Sequence, residues 1–558
     1  MRLYRRSGRV AVSERRWPRP VVARAALGLG AVVFGVACGG GQSRVAVDGA
    51  RACDSRPGSA AHLGRDGGGV RVSEGSSTRW IRNVAEAYTL RGAGLGLART
   101  VDIVIEDGLI AAILPADANR VAPAGVEVVD ASGLLALPGL VDGHNHLWQV
   151  LIRGCGADLH LPEWLAHCVF PWRAVPPTFQ ESYALTRFAA AELIASGVTT
   201  VVDWNHSFGA PMVEGALAAL RDSGLRFRLA VFPALAAQPS ATRPGGLAAS
   251  ERSPARRAPA LDPAWVTLVE KLAASFSQLG APERRRGGLH LATHPPLPEG
   301  WDAGHLRATA ALAQRLALPL NLHFHEHPSE VRADNLAELE ASGAPARPLL
   351  LNHAVHLSPA DLQTLARWRS GGGYTGQSDA TTGVIYNPQS NARLGSGVMP
   401  LAALQAAGVP VGLGLDGAAG DRFDAFANLR MALGLQRAGA AHMLEVEAGL
   451  RLATLGGARA LGLSAHIGTL EAGKAADLLL VDPQSTHFAF TRGTAELVLT
   501  AGPESVTWVF VEGRPLKAPP EAGLALESLV HLRKRAATAA RALHARKSTL
   551  QAKDDADP

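Results

Sequence analysis

At residues 138–146 the chain runs Pro138-Gly139-Leu140-Val141-Asp142-Gly143-His144-Asn145-His146. A short apolar run ends there in two histidines at positions i and i+2. Side chains two positions apart on a strand project to the same side, so both imidazoles can reach one metal ion. The segment therefore predicts a strand whose carboxyl end carries a metal site.

From residue 138 to about 466, short apolar runs alternate with stretches rich in alanine and leucine. The apolar runs predict strands at 198–202, 227–232, 289–292, 318–322, 349–351 and 409–415. The stretches between them predict helices, among them 180–196, 304–316, 358–367 and 400–407. Such alternation is typical of a parallel sheet, and this many units predict an α/β fold, a closed (β/α)8 TIM barrel. Residues 237–260, rich in Pro, Arg, Ala, Ser and Gly, predict a surface insertion.

Strand-like sequence flanks the barrel on both sides. Residues 101–105 and 109–114 predict a hairpin around Glu106-Asp107-Gly108, and 478–481, 497–500 and 506–511 predict later strands. We expect the two flanks to pair into one small composite β-sandwich domain. The predicted segments are a leader (1–38), a flexible linker (39–78), the first β part (79–137), the barrel (138–466), the second β part (467–517), and a C-terminal helix and tail (518–558).

The positive charge is concentrated at the N-terminus. Residues 1–38 contain eight arginines and one glutamate, whereas the rest contains 47 basic and 48 acidic residues. A near-neutral body disfavours a nucleic-acid partner. Arginines followed by an apolar stretch and Cys38 predict an export signal, with Cys38 as a lipid-anchor site and the only membrane contact. We expect an exported protein, periplasmic or membrane-anchored; the alternative is a cytoplasmic protein with a spurious N-terminal extension.

The four cysteines include no CxxC pair, which disfavours a thiolate zinc site. Cys155 and Cys168 lie within the predicted barrel domain. We interpret them as buried packing residues, with a disulfide as the alternative in an exported protein.

Three further strand ends carry polar residues that suit metal chemistry. These runs are Leu322-His323-Phe324-His325-Glu326, Leu351-Asn352-His353 and Val411-Gly412-Leu413-Gly414-Leu415-Asp416-Gly417. The carboxyl ends of barrel strands converge on one face, so these side chains are expected to meet. Spacing alone does not choose among His323, His325 and His327 for the third nitrogen.

Three imidazoles and one carboxylate form a site suited to Zn²⁺ or Fe²⁺, with a position open for water. Such an ion activates water as a nucleophile. Glu326 and Asp416 can then transfer a proton to the substrate or leaving group, and His353 can hydrogen-bond the attacking oxygen.

The ordered motifs of residues 79–517 resemble the amidohydrolase superfamily, in its branch of s-triazine hydrolases and of guanine, 8-oxoguanine and S-adenosylhomocysteine/methylthioadenosine deaminases. The motifs that carry the resemblance are Leu137-Pro138-Gly139-Leu140-Val141-Asp142, Leu151-Ile152-Arg153-Gly154, Glu163-Trp164-Leu165, Gly197-Val198-Thr199-Thr200, Asn387-Pro388-Gln389-Ser390-Asn391 and Ile467-Gly468-Thr469-Leu470-Glu471-Ala472-Gly473.

The resemblance implies a set of site residues. The implied metal ligands are His144, His146, His323 and Asp416; the implied catalytic residues are Glu326 and His353, with Asp416; the implied substrate contacts are Trp148, Arg153, His294 and Asn391. The run Val202-Asp203-Trp204-Asn205-His206 offers no lysine to bridge two metals, so one divalent ion is expected, Zn²⁺ or alternatively Fe²⁺. His206 is either a pocket residue or a loop histidine.

The implied activity is hydrolysis of a non-peptide C–N bond, namely deamination of a cyclic amidine or aminated heterocycle of small size. One alternative keeps the site and releases an alkylamine or halide, or opens a cyclic amide. Another, from a different class, is an exported lipoprotein that binds without turnover. Family members commonly form dimers or larger assemblies, so a homo-oligomer is an expectation.

Overall fold

The computed structural model describes residues 78–233, 261–297, 302–369, 382–420, 422–440, 442–485, 493–524 and 526–554. The predicted leader, the linker up to residue 77 and the insertion at 237–260 lie outside these residues. The description below concerns the described ranges alone.

Two eight-stranded sheets form the framework. The strands before the barrel are β1 (Thr78–Tyr88), β2 (Leu97–Glu106), β3 (Leu109–Pro115), β4 (Glu127–Asp130) and β5 (Leu135–Pro138). The barrel strands are β6 (Leu140–Asn145), β7 (Val198–Asn205), β8 (Arg226–Val231), β9 (Gly287–Thr293), β10 (Leu320–Phe324), β11 (Leu349–His353), β12 (Thr382–Tyr386) and β13 (Val411–Leu413). The strands after it are β14 (Leu478–Val481), β15 (Val506–Val511) and β16 (Arg514–Lys517).

The barrel sheet is parallel, and its strands lie side by side in chain order from β6 to β13. A parallel bridge between Asn145 and Asp416 joins the two ends of the sheet. Strands such as β7 are buried along their whole length, as expected where helices cover one face and the barrel core fills the other. The predicted α/β TIM-barrel fold is therefore confirmed.

The second sheet combines strands from both flanks of the barrel in the order β16-β15-β14-β5-β1-β2-β3, with β4 paired to β1. Strand β14 pairs antiparallel with β5, so the chain segments before and after the barrel meet at this point. A separate apolar core that includes Ile81, Ile103 and Phe510 supports it. The expected small β domain built from both flanks is confirmed.

Fifteen α-helices occur within the described ranges: α1 (Leu161–Trp164), α2 (Phe179–Ala195), α3 (Ala210–Ser223), α4 (Pro263–Ser277), α5 (Ala281–Arg286), α6 (Ala303–Arg315), α7 (Asn335–Ala341), α8 (Pro359–Arg369), α9 (Pro388–Arg393), α10 (Leu401–Ala406), α11 (Ala425–Gly439), α12 (Val446–Arg451), α13 (Gly457–Ala460), α14 (Thr494–Thr500) and α15 (Leu529–Asp554). Helix α2 begins with a capping box, in which Thr178 and Glu181 satisfy each other's backbone N–H groups.

One expectation about the elements requires correction. Residues 497–500, predicted as a strand, form the end of helix α14, with Leu497 and Val498 buried and Leu499 exposed. A four-residue apolar run does not distinguish a strand from a buried helical turn, so its neighbours decide.

The C-terminal helix α15 packs on α2 through Ala536 and Leu543, which are buried in one apolar cluster with Leu185 of α2. Arg546 reinforces this contact, because its Nη2 donates to Glu181 Oε2 at 2.9 Å. Among the described residues, no helix is long and apolar enough to cross a membrane.

A buried ion pair links the barrel to the flanking domain. Arg226, the first residue of β8, donates from Nε to Asp477 Oδ2 at 2.9 Å and from Nη2 to Asp477 Oδ1 at 3.1 Å. Both side chains are about 1% exposed. A bidentate guanidinium–carboxylate pair satisfies two charges that would otherwise be costly to bury.

We expect Asp477→Ala to lower the free energy of unfolding by about 1.5–3 kcal/mol, because Arg226 loses its bidentate partner and keeps only Glu512, 3.2 Å from Nη2, as a carboxylate. Urea unfolding followed by tryptophan fluorescence measures the change. Glu270→Ala, which breaks the exposed pair with Arg315, is the matched control and should cost less than about 1 kcal/mol. Equal effects of the two substitutions would contradict this account.

Candidate metal centre and active site

Four predicted ligands from three different strand ends meet at the mouth of the barrel. Asp416 Oδ1 lies 3.3 Å from His146 Nε2 and 3.7 Å from His144 Nε2. His146 Nε2 lies 3.2 Å from His323 Nε2. The spacing of His144 and His146 on β6 thus brings both rings to one point, as the sequence predicted.

The arrangement fits a divalent metal ion. Zinc lies about 2.0–2.2 Å from nitrogen and oxygen ligands, so neighbouring ligand atoms are roughly 3.0–3.5 Å apart, which matches these separations within a few tenths of an ångström. His144 Nε2 is buried and forms no hydrogen bond. A buried imidazole nitrogen without a partner is costly unless a cation takes its lone pair.

The surroundings orient the imidazoles and keep them neutral. His146 Nδ1–H donates to the Trp204 carbonyl oxygen at 2.7 Å, which leaves the Nε2 lone pair directed at the site. Burial lowers the pKa of His144, His146 and His323, so these rings are uncharged at neutral pH. Neutral imidazole is the form that binds a metal.

Residues at the strand ends adopt left-handed backbone conformations. The φ angles are 61° at Asp416, 74° at His353 and 48° at His325. Such conformations are unfavourable for residues other than glycine and concentrate at functional sites. At Asp416 the backbone N–H donates to the His144 carbonyl oxygen at 2.8 Å, which fixes the carboxylate beside the histidines.

The structure separates the three histidines around residue 325. His323, on β10, faces His146, whereas His325 follows the end of the strand. The left-handed turn at His325 directs its Nε2 to the Asn335 side-chain amide, 3.1 Å away. His327 Nδ1 bonds instead to the Ser329 hydroxyl. Because the strand ends at Phe324, His323 and His325 do not share a side, and of the three histidines only His323 lies beside His146.

Glu326 and His353 form a pair next to the four ligands. Glu326 Oε2 lies 3.3 Å from His353 Nε2. His353 Nδ1 accepts from the amide nitrogens of Asn391, at 2.9 Å, and Asn387, at 3.3 Å. Because Nδ1 is an acceptor, the proton of the neutral ring is on Nε2, facing Glu326. Burial lowers the pKa of His353 to about 4, so the ring stays neutral.

The Glu326 carboxyl group is positioned to hold a proton. Burial and the neighbouring charges of Asp416 and Glu330 raise the pKa of Glu326 well above its ordinary value. Its Oε1 accepts from the Ser396 hydroxyl at 3.3 Å, and its backbone N–H donates to Glu330 at 2.9 Å. A carboxyl group with a raised pKa can accept and return protons near neutral pH.

A cavity of about 510 Å³ opens over this centre. The charged and polar side chains that line it include His146, His323, Asp416, Glu326 and His353. Its outer wall is mainly apolar and consists of Leu161, Trp164, Leu165, Phe170, Phe208, Phe232, Pro233, Leu297 and Leu394. The cavity therefore suits a small, flat organic molecule with one polar end at the metal centre.

The structure brings one of the four predicted substrate contacts, His294, to the cavity wall. Trp148 is buried behind the wall, where its Nε1–H donates to His206 Nδ1 at 3.1 Å. Asn391 is buried and holds His353 and Glu326. Arg153 pairs with Glu192 at 2.7 Å and stacks over Phe423. None of these three is among the described residues that line the cavity.

Sequence reasoning did not single out four lining residues: Gln149, Arg173, Trp204 and Glu330. Gln149 lies three residues beyond the histidine pair, and Glu330 lies four residues beyond Glu326. Their closeness in sequence to these motifs could have indicated that they lie near the site. A carbon at the Cβ position of Gly417 would lie 1.9 Å from Gln149 Oε1, so glycine is needed for this close approach. Arg173 carried no local signal, because an irregular segment brings it to the cavity.

Cys155 and Cys168 form a disulfide. The sequence left a disulfide as the alternative to two separate buried cysteines, and the structure contains this disulfide. The linked segment includes Leu161, Trp164 and Leu165, so the bond braces part of the apolar cavity wall.

A TIM barrel with histidines, an aspartate and a proton-holding glutamate at its strand ends defines a class of hydrolases that use a divalent metal. Residues 135–516 match the model of the amidohydrolase family. The chain belongs to this family, whose members hydrolyse carbon–nitrogen bonds other than peptide bonds, and it is an enzyme of that type.

Several named relatives match most of the chain. It is 32% identical over 444 residues to a 5-methylthioadenosine/S-adenosylhomocysteine deaminase of Desulforudis audaxviator, covering 78% of this chain and 92% of the relative. It is 30% identical to an 8-oxoguanine deaminase of Pseudomonas aeruginosa, covering 79% and 96%. A zinc-bound adenosine deaminase from Xanthomonas campestris superposes with a TM-score of 0.69 at 26% identity, covering 84% and 98%.

Proposed function

We propose that this protein is a hydrolytic deaminase of small aminated heterocycles and that it works with one zinc ion. The observation that carries the proposal is the juxtaposition of the four-ligand centre with the Glu326–His353 pair, whose facing atoms are 3.3 Å apart. The named relatives, which are deaminases of purine compounds, support the same class of reaction.

The proposed ligands are His144, His146, His323 and Asp416. When bound, the ion acts as a Lewis acid that makes a water molecule nucleophilic at neutral pH. The zinc named with the Xanthomonas relative supports this choice of metal. Among the described residues, none that lines the cavity is a lysine, which supports one ion and not a lysine-bridged pair.

The protein groups then move protons and hold the reacting atoms. Glu326 takes a proton from the attacking water and passes it to the ring nitrogen beside the carbon that carries the amino group. His353 donates from Nε2 to the attacking oxygen as charge develops there. Asp416 then transfers the remaining proton of the added hydroxyl group to the amino group, and the C–N bond breaks, so water and the aminated ring become ammonia and the oxo product.

We expect the metal-loaded full-length protein to release ammonia from at least one of guanine, 8-oxoguanine, S-adenosylhomocysteine, an aminopterin or an amino-s-triazine. A coupled ammonia assay measures the reaction, beside metal analysis of the same sample. Protein stripped by a chelator should be inactive and recover with zinc. Release of an alkylamine or chloride instead would favour the alternative leaving group. Folded, metal-loaded protein without any turnover would favour the binding module.

We also propose that the protein is exported. The arginine-rich, apolar leader before Cys38 supports this location, and the Cys155–Cys168 disulfide agrees with an oxidising compartment. A lipid anchor at Cys38 is the proposed membrane attachment, and assembly into a homo-oligomer stays a prediction.

A further inference from the structure

Two side chains of the cavity wall have their acceptor atoms occupied by the protein. The first is His206, whose Nδ1 lies 3.1 Å from Nε1 of Trp148. An indole N–H can only donate, so His206 Nδ1 must accept. The proton of the neutral imidazole is therefore on Nε2, and His206 can offer the cavity only a donor from its ring nitrogens.

Gln149 is constrained in the same way. The backbone N–H of Ala418 donates to Gln149 Oε1 at 3.0 Å. Because a backbone N–H cannot accept, this contact fixes the amide orientation and leaves the NH₂ group for other partners. Both His206 and Gln149 line the cavity above the metal centre.

The hydrogen bond from Trp148 also requires a neutral His206 ring, because a doubly protonated ring would set Nδ1–H against the indole N–H. This ring lies against that of His146, with centroids 4.7 Å apart, and it also contacts Trp204 and Phe208. The ring that carries the Nε2–H donor is thus held directly against one of the proposed metal ligands.

We propose that His206 determines substrate specificity by donating a hydrogen bond from Nε2, with the Gln149 amide as a second donor. This inference rests on the proposed deaminase function and narrows its substrate class. The substrate is an aminated heterocycle that presents an acceptor, an oxo oxygen or an unprotonated ring nitrogen, to this wall. A ring that presents N–H or NH₂ there would oppose donor to donor. Trp148 acts through His206 and is a positioning residue.

Binding of two unreactive probes tests the donor. Oxindole and indole share a bicyclic frame and lack an amino group to release, but only oxindole carries an oxo acceptor. Calorimetry on the zinc-loaded full-length protein should give a Kd about tenfold lower for oxindole, the factor expected for one buried hydrogen bond. His206→Phe should abolish the preference, and His206→Gln, which keeps an N–H donor, should retain it. His167→Phe, at an exposed histidine outside this cavity, is the matched control.

The tautomer of the His206 ring provides a second test. Trp148→Phe should change this tautomer only if Trp148 positions the proton of His206. In protein labelled with ¹⁵N-histidine, the NMR signal that disappears in His206→Gln is assigned to His206. In the wild-type protein this signal should be that of a neutral ring with its proton on Nε2. In Trp148→Phe, which keeps an aromatic ring but removes the N–H, that signal should shift towards a mixture of tautomers. Equal metal content in all variants shows that the centre is intact.

An oxindole preference that survives in His206→Phe, or a wild-type ring protonated on Nδ1, would overturn the proposal. Failure of the deaminase function has a different signature. In that case no aminated heterocycle releases ammonia, while the oxindole preference and its dependence on His206 persist and still support the donor role.

Discussion

The Glu326→Gln variant is expected to keep its metal and to lose roughly 10²–10⁴-fold in kcat, the usual contribution of a positioned proton carrier. Gln preserves the shape of the side chain and can still accept from Asn391 and Ser396, as Glu326 does. It cannot take a proton from water or return one to the ring. Steady-state kinetics beside metal analysis measures the effect, and KM should change much less than kcat.

Glu330 offers a matched control for this substitution. It is a second carboxylate of the same cavity; it accepts the backbone N–H of Glu326, and its charge raises the pKa of Glu326 less than burial and Asp416 do. The amide oxygen of Gln can accept that bond, so Glu330→Gln should reduce kcat by less than about tenfold. If Glu330→Gln were as damaging as Glu326→Gln, the proton carrier would have been assigned to the wrong carboxylate.

The metal centre was largely predictable from the sequence because its geometry follows from local rules. Alternation along β6 places His144 and His146 on one side, and convergence of parallel strand ends brings His323 and Asp416 to them. The rule failed at His325, where the strand ends and the backbone turns left-handed. Spacing extrapolates a strand but does not show where it stops.

The cavity wall was harder to predict, because it depends on segments without a regular period. Short helical turns between residues 147 and 173 contribute Trp164, Phe170 and Arg173. Their placement depends on tertiary packing, including the disulfide, and no periodic pattern encodes it. The same holds for Trp148 and Asn391, which were expected to touch substrate. Each lies behind the residues that line the cavity. Trp148 orients His206, and Asn391 orients His353.

Removal of the carboxylate ligand is expected to have the largest effect of all. In Asp416→Ala, the three imidazoles that remain lose the only anionic member of the set, whose Oδ1 lies 3.3 Å from His146 Nε2 and 3.7 Å from His144 Nε2. We expect metal content to fall from about one ion per chain to a small fraction, because a site with three neutral ligands binds zinc more weakly. Activity should fall below detection, and excess zinc should restore only part of it.

A second buried carboxyl group at the same mouth distinguishes metal binding from general damage. Asp203 accepts the Leu147 backbone N–H at 3.0 Å, and burial raises its pKa to about 7. Asp203→Asn keeps an acceptor in this place, so this variant should retain its metal and most of its activity. Two ions per wild-type chain would point to a bridging ligand outside this set. If folded Asp416→Ala kept its full metal content, Asp416 would not be a metal ligand. Its role would then be limited to proton transfer.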